Sequence, residues 1–169
     1  MRPLLFAAVT LCVASPARAN WLLDVDEAEV LKVTNGDALK LRVTVSRLGP
    51  AGMETRVSDE AIRLIGVICP ASSEGKKCGT WRKQLTCRDE VKLGKSVVSF
   101  VKRLLPEGTK VPLRLRGRDR NGRTLGYIEL PNGGDLGQKL VETGRCRAWS
   151  HQRPHQLQHL YEDAVPKAK

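Results

Sequence analysis

Four arginines, Arg114, Arg116, Arg118 and Arg120, recur at every second position, while Val111, Leu113 and Leu115 take the other parity. A strand sends alternate side chains to opposite faces, so the spacing predicts a guanidinium stripe over an apolar underside. Asp119 is the only acid in that segment. A stripe of one sign suits the phosphates of DNA, RNA or another polyanion, although a plain solvated face also alternates. Lys76, Lys77, Arg145 and Arg147 can extend the patch. Three further charged residues stand beside turn signals or inside apolar runs. Asp37 follows Asn35-Gly36, Arg63 interrupts an apolar strand, and Arg123 follows Asn121-Gly122. Each has an ordinary reading as well: turn chemistry for Asp37, pairing with Asp59 or Glu60 for Arg63, a post-turn position for Arg123. His151, His155 and His159 are spaced four apart. Pro154 interrupts the first interval, so only His155 and His159 share a helical face, short of a third metal ligand. Tyr127 and Trp149 could stack on a base, with packing at the barrel end as the alternative.

Five cysteines are present, and Cys12 lies in an apolar N-terminal run. Cys69, Cys78, Cys87 and Cys146 remain. An even count in an oxidising compartment suggests two disulfides, with three connectivities open. Nearness in sequence favours Cys78–Cys87, which leaves Cys69–Cys146. A zinc site would want tighter cysteine spacing than this chain offers.

The elements that must position these residues belong to an ordinary globular chain. It has 169 residues, 41% hydrophobic and 28% charged, with 29 Lys+Arg against 18 Asp+Glu and a formal charge of +11. That excludes a disordered tail and a multi-pass membrane protein, and it makes a polyanion the first partner to consider. Arg2, the apolar run Leu4–Ala14 and Ala17-Arg18-Ala19 have the layout of a secretory signal peptide. The run is too short to span a membrane, which takes about 20 residues. Residues 1–19 are therefore expected to be the leader and 20–169 one exported, monomeric domain, secreted or periplasmic.

Residues 27–34, the Asn35-Gly36 turn and the alternating Leu39–Val45 predict a β-hairpin. Gly49–Gly52 reads as a loop, Ala61–Ile68 as a third strand and residues 71–94 as a long loop. Lys95–Leu105 carries Val97, Val98, Val101, Leu104 and Leu105 on one helical face and stops at Pro106. Lys110–Arg120 and Thr124–Leu130 are the fourth and fifth strands. Asp135 caps a helix that ends near Gly144, and a last helix is expected over Pro154–Ala164. The order β-β-β-α-β-β-α-α closes most naturally as a five-stranded barrel of OB type with about three flanking helices, an α+β fold.

In this order the chain resembles the staphylococcal-nuclease-like (thermonuclease) family from about Val30 to Ala164. Four stretches carry the resemblance: Asn35-Gly36-Asp37-Ala38, Ile62–Val67, Asp119–Tyr127, and Asn132–Gly144 ending Leu140-Val141-Glu142-Thr143-Gly144. The resemblance implies cleavage of DNA and RNA phosphodiesters with Ca²⁺. Two arginines hold the phosphate, two aspartates ligate the metal, and a glutamate acts through a water as base. Carried over by position, Arg63 and Arg123 are the phosphate arginines and Asp37 is the first calcium ligand. The family's D-x-P-E segment reads Ile68-Cys69-Pro70-Ala71 here, so Ile68 replaces the second aspartate and Ala71 the base. Glu74 lies three residues beyond Ala71, either a substitute base or a solvated loop charge. The calcium site is thus incomplete. The expectation is a domain that binds nucleic acid or another polyanion and hydrolyses weakly or not at all; the alternative is an active metal-dependent nuclease using substitute carboxylates.

Overall fold

The structure is a computed structural model and describes residues 22–50, 52–75, 78, 85–119, 121–149 and 155–165. The expected leader, Lys76, Lys77, Arg120 and His151 lie outside the described residues.

Strands β1 (Leu22–Asn35), β2 (Ala38–Gly49), β3 (Gly52–Leu64), β5 (Lys110–Arg118) and β6 (Thr124–Ile128) close a barrel in the order β1-β2-β3-β6-β5. β3 and β6 pair in parallel, and β5 closes the ring against β1 antiparallel. β4 (Val67–Ile68) and β7 (Arg147–Ala148) form a separate two-stranded ribbon. Helices α1 (Cys87–Leu104), α2 (Leu136–Glu142) and α3 (Gln158–Asp163) flank the barrel. The five-stranded barrel expected from the sequence is therefore present.

Period-two burial builds the interior. Val30, Leu39, Leu41, Val43, Ile62, Leu113 and Ile128 are almost fully buried, as are Val97 and Val101 from α1, Leu105 at its C-cap, and Leu136 and Leu140 from α2. Asp135 caps α2 by accepting the Gln138 N–H at 2.9 Å, and Gly144 takes the left-handed conformation just past its end, as the sequence predicts.

Several boundaries differ from expectation. α1 starts at Cys87, eight residues earlier than Lys95, with Thr86 as N-cap and Asp89 and Glu90 in its first turn. Gly94 obscured this start, because glycine is a poor helix former. A Cβ at Gly94 would clash with the Ala71 carbonyl oxygen, so the glycine lets α1 lie directly on the loop after β4. β3 starts at Gly52 and ends at Leu64, beyond which Ile65-Gly66 turns the chain into β4. The expected loop Gly49–Gly52 is a tight connection, with Gly49 opposite Gly52. The last helix is shorter than expected.

The arginine stripe requires correction. The β5–β6 register shifts between Leu115 and Arg118, and Gly117 sits there at φ +104°. A bulge adds a residue and flips the parity that follows. Arg114 and Arg116 face outward, whereas Arg118 lies opposite Thr124 and faces the open barrel end. Each also has an acidic neighbour. Arg114 pairs with Glu129, Arg116 with Asp24 at 2.8 Å, and Arg118 with Glu60 at 3.2 Å. The three therefore do not form one stripe of unopposed charge.

Both disulfides form with the favoured connectivity, Cys69–Cys146 and Cys78–Cys87. They suit an oxidising compartment. No described helix is long and apolar enough to cross a membrane.

Candidate phosphate-binding site

The β1–β2 turn carries Asp37, and the end of β3 carries Arg63 opposite Ala38. This cross-strand register brings together two residues far apart in sequence. Asp37 is 1% exposed. Its Oδ1 accepts from Arg63 Nη1 at 3.1 Å and from Asn35 Nδ2 at 3.1 Å. Its Oδ2 lies 2.8 Å from Arg63 Nη2 and accepts the Cys69 backbone N–H at 3.2 Å. The pair is a fork-to-fork ion pair, the strongest geometry open to a guanidinium and a carboxylate. Burial pushes the Asp37 carboxyl above its ordinary value; the opposing pulls, in order, begin with Arg63 and the Cys69 N–H and end with Arg123.

Arg123 enters from the β5–β6 turn. Leu125, two positions on, lies opposite Arg63 in the β3–β6 pairing, so Arg123 stands just before the strand that neighbours Arg63, and its charge is felt at Asp37. Asp119 fixes this turn. Its Oδ1 accepts the backbone N–H groups of Asn121 and Arg123, and its Oδ2 accepts Arg123 Nε at 2.8 Å and faces Nη2 at 2.6 Å. These contacts and the Arg123 charge hold the Asp119 carboxyl below its ordinary value, even though burial pushes it the other way.

The other wall is the segment Ile68–Ala71, stapled by Cys69–Cys146. A Cβ on Gly36 would meet Val97 at 2.6 Å and Cys69 Sγ at 3.0 Å. Only glycine lets the turn bearing Asp37 pack this tightly on α1 and the disulfide. Glu90, on α1, is 2% exposed and accepts the Ala71 N–H at 3.0 Å. Sequence reading missed Glu90. The signal was present as an acid one turn into a helix capped by Thr86.

Calcium does not fit this set. Ca²⁺ takes six to eight oxygens, several from carboxylates. Asp37 is the only carboxylate among the positions carried over, and N–H donors occupy both its oxygens. A guanidinium stands where a cation would have to sit. Ile68 supplies no lone pair and Ala71 no proton acceptor. Glu74 is exposed, with no hydrogen bond or ion pair to another described residue. No cluster of three or more His, Cys, Asp or Glu able to hold a metal occurs among the described residues.

The remaining candidates fall elsewhere. Asp59 and Glu60, the alternative partners for Arg63, are engaged by Lys40, Arg42 and Arg118 instead. Arg145 stacks over the Phe100 ring at 4.3 Å, and Arg147 lies on exposed β7. Trp149 is exposed, and Tyr127 is buried. His159 is exposed, whereas His155 packs on Gly66 and sits 3.2 Å from the Tyr127 hydroxyl through Nδ1, beside Tyr161. The two histidines therefore do not act as a pair. Burial lowers the His155 pKa below the ordinary 6.5, against a smaller opposite pull from Glu162. A lowered folded value means that His155 favours the native state above pH 6.5 and loses that contribution as pH falls through its folded pKa. In an NMR titration the His155 ring should have its midpoint below 6.5. Amides of α3 should exchange faster once the ring is charged.

Comparison with known proteins adds one match. A family model described as staphylococcal nuclease homologue covers residues 61–169, more than half of the chain, including Arg63, Arg123 and all four bonded cysteines. No curated protein matches the chain. Asp37 and most of the β2–β3 hairpin precede the matched stretch. With the barrel order and that match in hand, the chain belongs to the staphylococcal nuclease homologue family.

Proposed function

We propose that this chain is an exported nuclease-family domain that grips nucleic acid or another polyanion through Arg63 and Arg123 and hydrolyses it weakly or not at all. Residues 1–19 serve as its leader, and the two disulfides suit the destination. Family membership supports the nucleic-acid partner, and the charge left once Arg2 and Arg18 go with the leader, 27 Lys+Arg against 18 Asp+Glu or +9, supports attraction to phosphate. One observation carries the loss of hydrolysis: both oxygens of Asp37 are spent on N–H donors, and no carboxylate stands at Ile68 or Ala71. The site keeps the groups that hold a phosphate and lacks those that ligate a metal and accept a proton.

Each guanidinium has five N–H groups. Arg63 uses two nitrogens on Asp37 and Arg123 two on Asp119, so both retain donors for a phosphate oxygen. Asp37 then acts as a competitor for the ligand. Asp37→Asn should tighten single-stranded DNA binding about tenfold, the worth of a charge-assisted hydrogen bond. Arg123→Ala should weaken binding and lower the salt slope by about one. Fluorescence anisotropy across a salt series measures both. Plasmid incubated with the protein and Ca²⁺, Mg²⁺ or Mn²⁺ should stay intact. Cleavage that disappears in Arg123→Ala would establish the active-nuclease reading instead.

A further inference from the structure

The β2–β3 hairpin outgrows the barrel. β1 leaves β2 after Ala28↔Val43, and β6 joins β3 only at Ile62–Leu64. From Thr44 to Val57 the hairpin is a two-stranded arm, and the β3 edge from Gly52 to Ala61 has no strand partner on the β6 side among the described residues. An open edge presents unpaired N–H and C=O groups and is usually blunted by charge, proline or a bulge. This one has neither proline nor bulge, with unbroken register from Gly52 to Arg63, and the charges that it carries between Met53 and Val57, Glu54 and Arg56, are of opposite sign. Its outer face sets exposed apolar side chains around the Ser46–Thr55 hydroxyl pair. Leu48, Met53 and Val57 are 85%, 71% and 57% exposed.

The edge is self-complementary. Gly49 and Gly52 flank a two-residue connection and so form a hydrogen-bonded pair, after which bonded and non-bonded pairs alternate. Glu54 and Arg56 therefore turn their backbone groups toward β2, and Met53, Thr55 and Val57 turn theirs outward. Consider a second, antiparallel copy of the edge with its two-fold axis at Thr55. The outward-facing Thr55 groups bond to each other, and Met53 bonds to Val57 in both directions. Glu54 then stands directly opposite Arg56 of the other copy, twice, in the closely spaced non-bonded pairs. Neither Glu54 nor Arg56 has a hydrogen bond or ion pair to another described residue. Both line the approximately 300 Å³ cavity at the open barrel end, on the face opposite Met53 and Val57. No other register within Met53–Val57 pairs both charges and both apolar residues.

We infer that this arm is a homodimer interface: a second copy of the chain adds its β3 edge antiparallel across Met53–Val57, in place of the monomer expected from the sequence. The contact is isologous, as a two-fold requires. It joins the two arms into one four-stranded sheet and places Leu48, Met53 and Val57 of both copies on a single face.

Sedimentation equilibrium of the full chain after leader removal, run from about 1 to 100 µM, should show a dimer whose formation is weakened at least tenfold by Glu54→Arg or by Arg56→Glu alone. The double variant E54R/R56E swaps the charges and should restore it. Thr55→Cys offers a readout with native charges. Cα atoms in a hydrogen-bonded antiparallel pair are about 5.5 Å apart, within disulfide range, so mild oxidation should yield a covalent dimer. Thr44→Cys, on the other strand, should not cross-link. A chain monomeric throughout this range overturns the inference. So does a dimer indifferent to the single reversals, one not restored by the double, or one in which Thr55→Cys fails to cross-link.

Discussion

Replacing Arg63 with Ala should destabilise the folded chain by about 3–5 kcal/mol, far more than the loss of one surface ion pair. The reason is what it leaves behind. Asp37 is 1% exposed, and without the guanidinium its buried charge is left to the Asn35 amide, the backbone N–H groups of Cys69 and of Asp37 itself, and the weaker pull of Arg123. Removing one member of a buried pair typically costs that much because of the stranded charge. At roughly 2–4 °C per kcal/mol for a chain of this size, Tm should fall by about 10 °C. Two checks separate this cause from simple loss of packing. First, Arg63→Ala combined with Asp37→Asn should recover much of the loss, because a neutral amide has no charge to strand. Second, the deficit should shrink as pH falls. Burial already raises the Asp37 carboxyl, and loss of Arg63 raises it further, so the variant takes up its proton at higher pH than the native chain. A deficit that is independent of pH and unchanged in the double variant would mean that the pair contributes only packing.

The second large effect belongs to Cys69–Cys146. It closes a loop of 77 residues, against nine for Cys78–Cys87. Loop-closure entropy predicts about 4.5 kcal/mol for the first and about 2.6 for the second. Cys69→Ser with Cys146→Ser should therefore lower the urea midpoint more than the corresponding Cys78/Cys87 pair. It should also disturb the phosphate site, because Cys69 donates to Asp37 and its sulfur lies against Gly36. Loss of DNA affinity in the first variant but not the second, under conditions where both are folded, would tie this staple to the site. Equal midpoints would remove the argument.

What could be read from the sequence was local. Asn35-Gly36 announced the first hairpin as a turn dipeptide, and glycine is needed there for its close approach to Val97 and Cys69. Asp135 and Gly144 bracketed α2 through capping chemistry, and the turn signals marked the succession of strands along the chain, though not their order around the barrel. The non-local features were harder. Arg63 meets Asp37 rather than Asp59 or Glu60, since strand register decides which carboxylate faces it. The polar run Met53–Asp59 gave no hydrophobic alternation, yet pairing with β2 makes it strand. Gly117 within the arginine series was the one visible hint that alternation breaks there, because an isolated glycine in a strand often marks a bulge. The replaced positions Ile68 and Ala71 were legible outright. That Asp37 then turns both oxygens to nitrogen donors was not, because it depends on where Cys69 and Arg63 arrive in space.

The ring of strands closes between β1 and β5, where Leu22 lies opposite Arg116 and Val25 opposite Leu113. Most of the polypeptide separates these partners. Contacts so distant along the chain form slowly, because the intervening loop must be ordered first. Synthesis delivers β1 early and β5 late, so the first strand waits unpaired on one side while more than half of the protein emerges. That interval is when this chain is most open to wrong strand partners, and folding helpers that shield extended segments would act on it then.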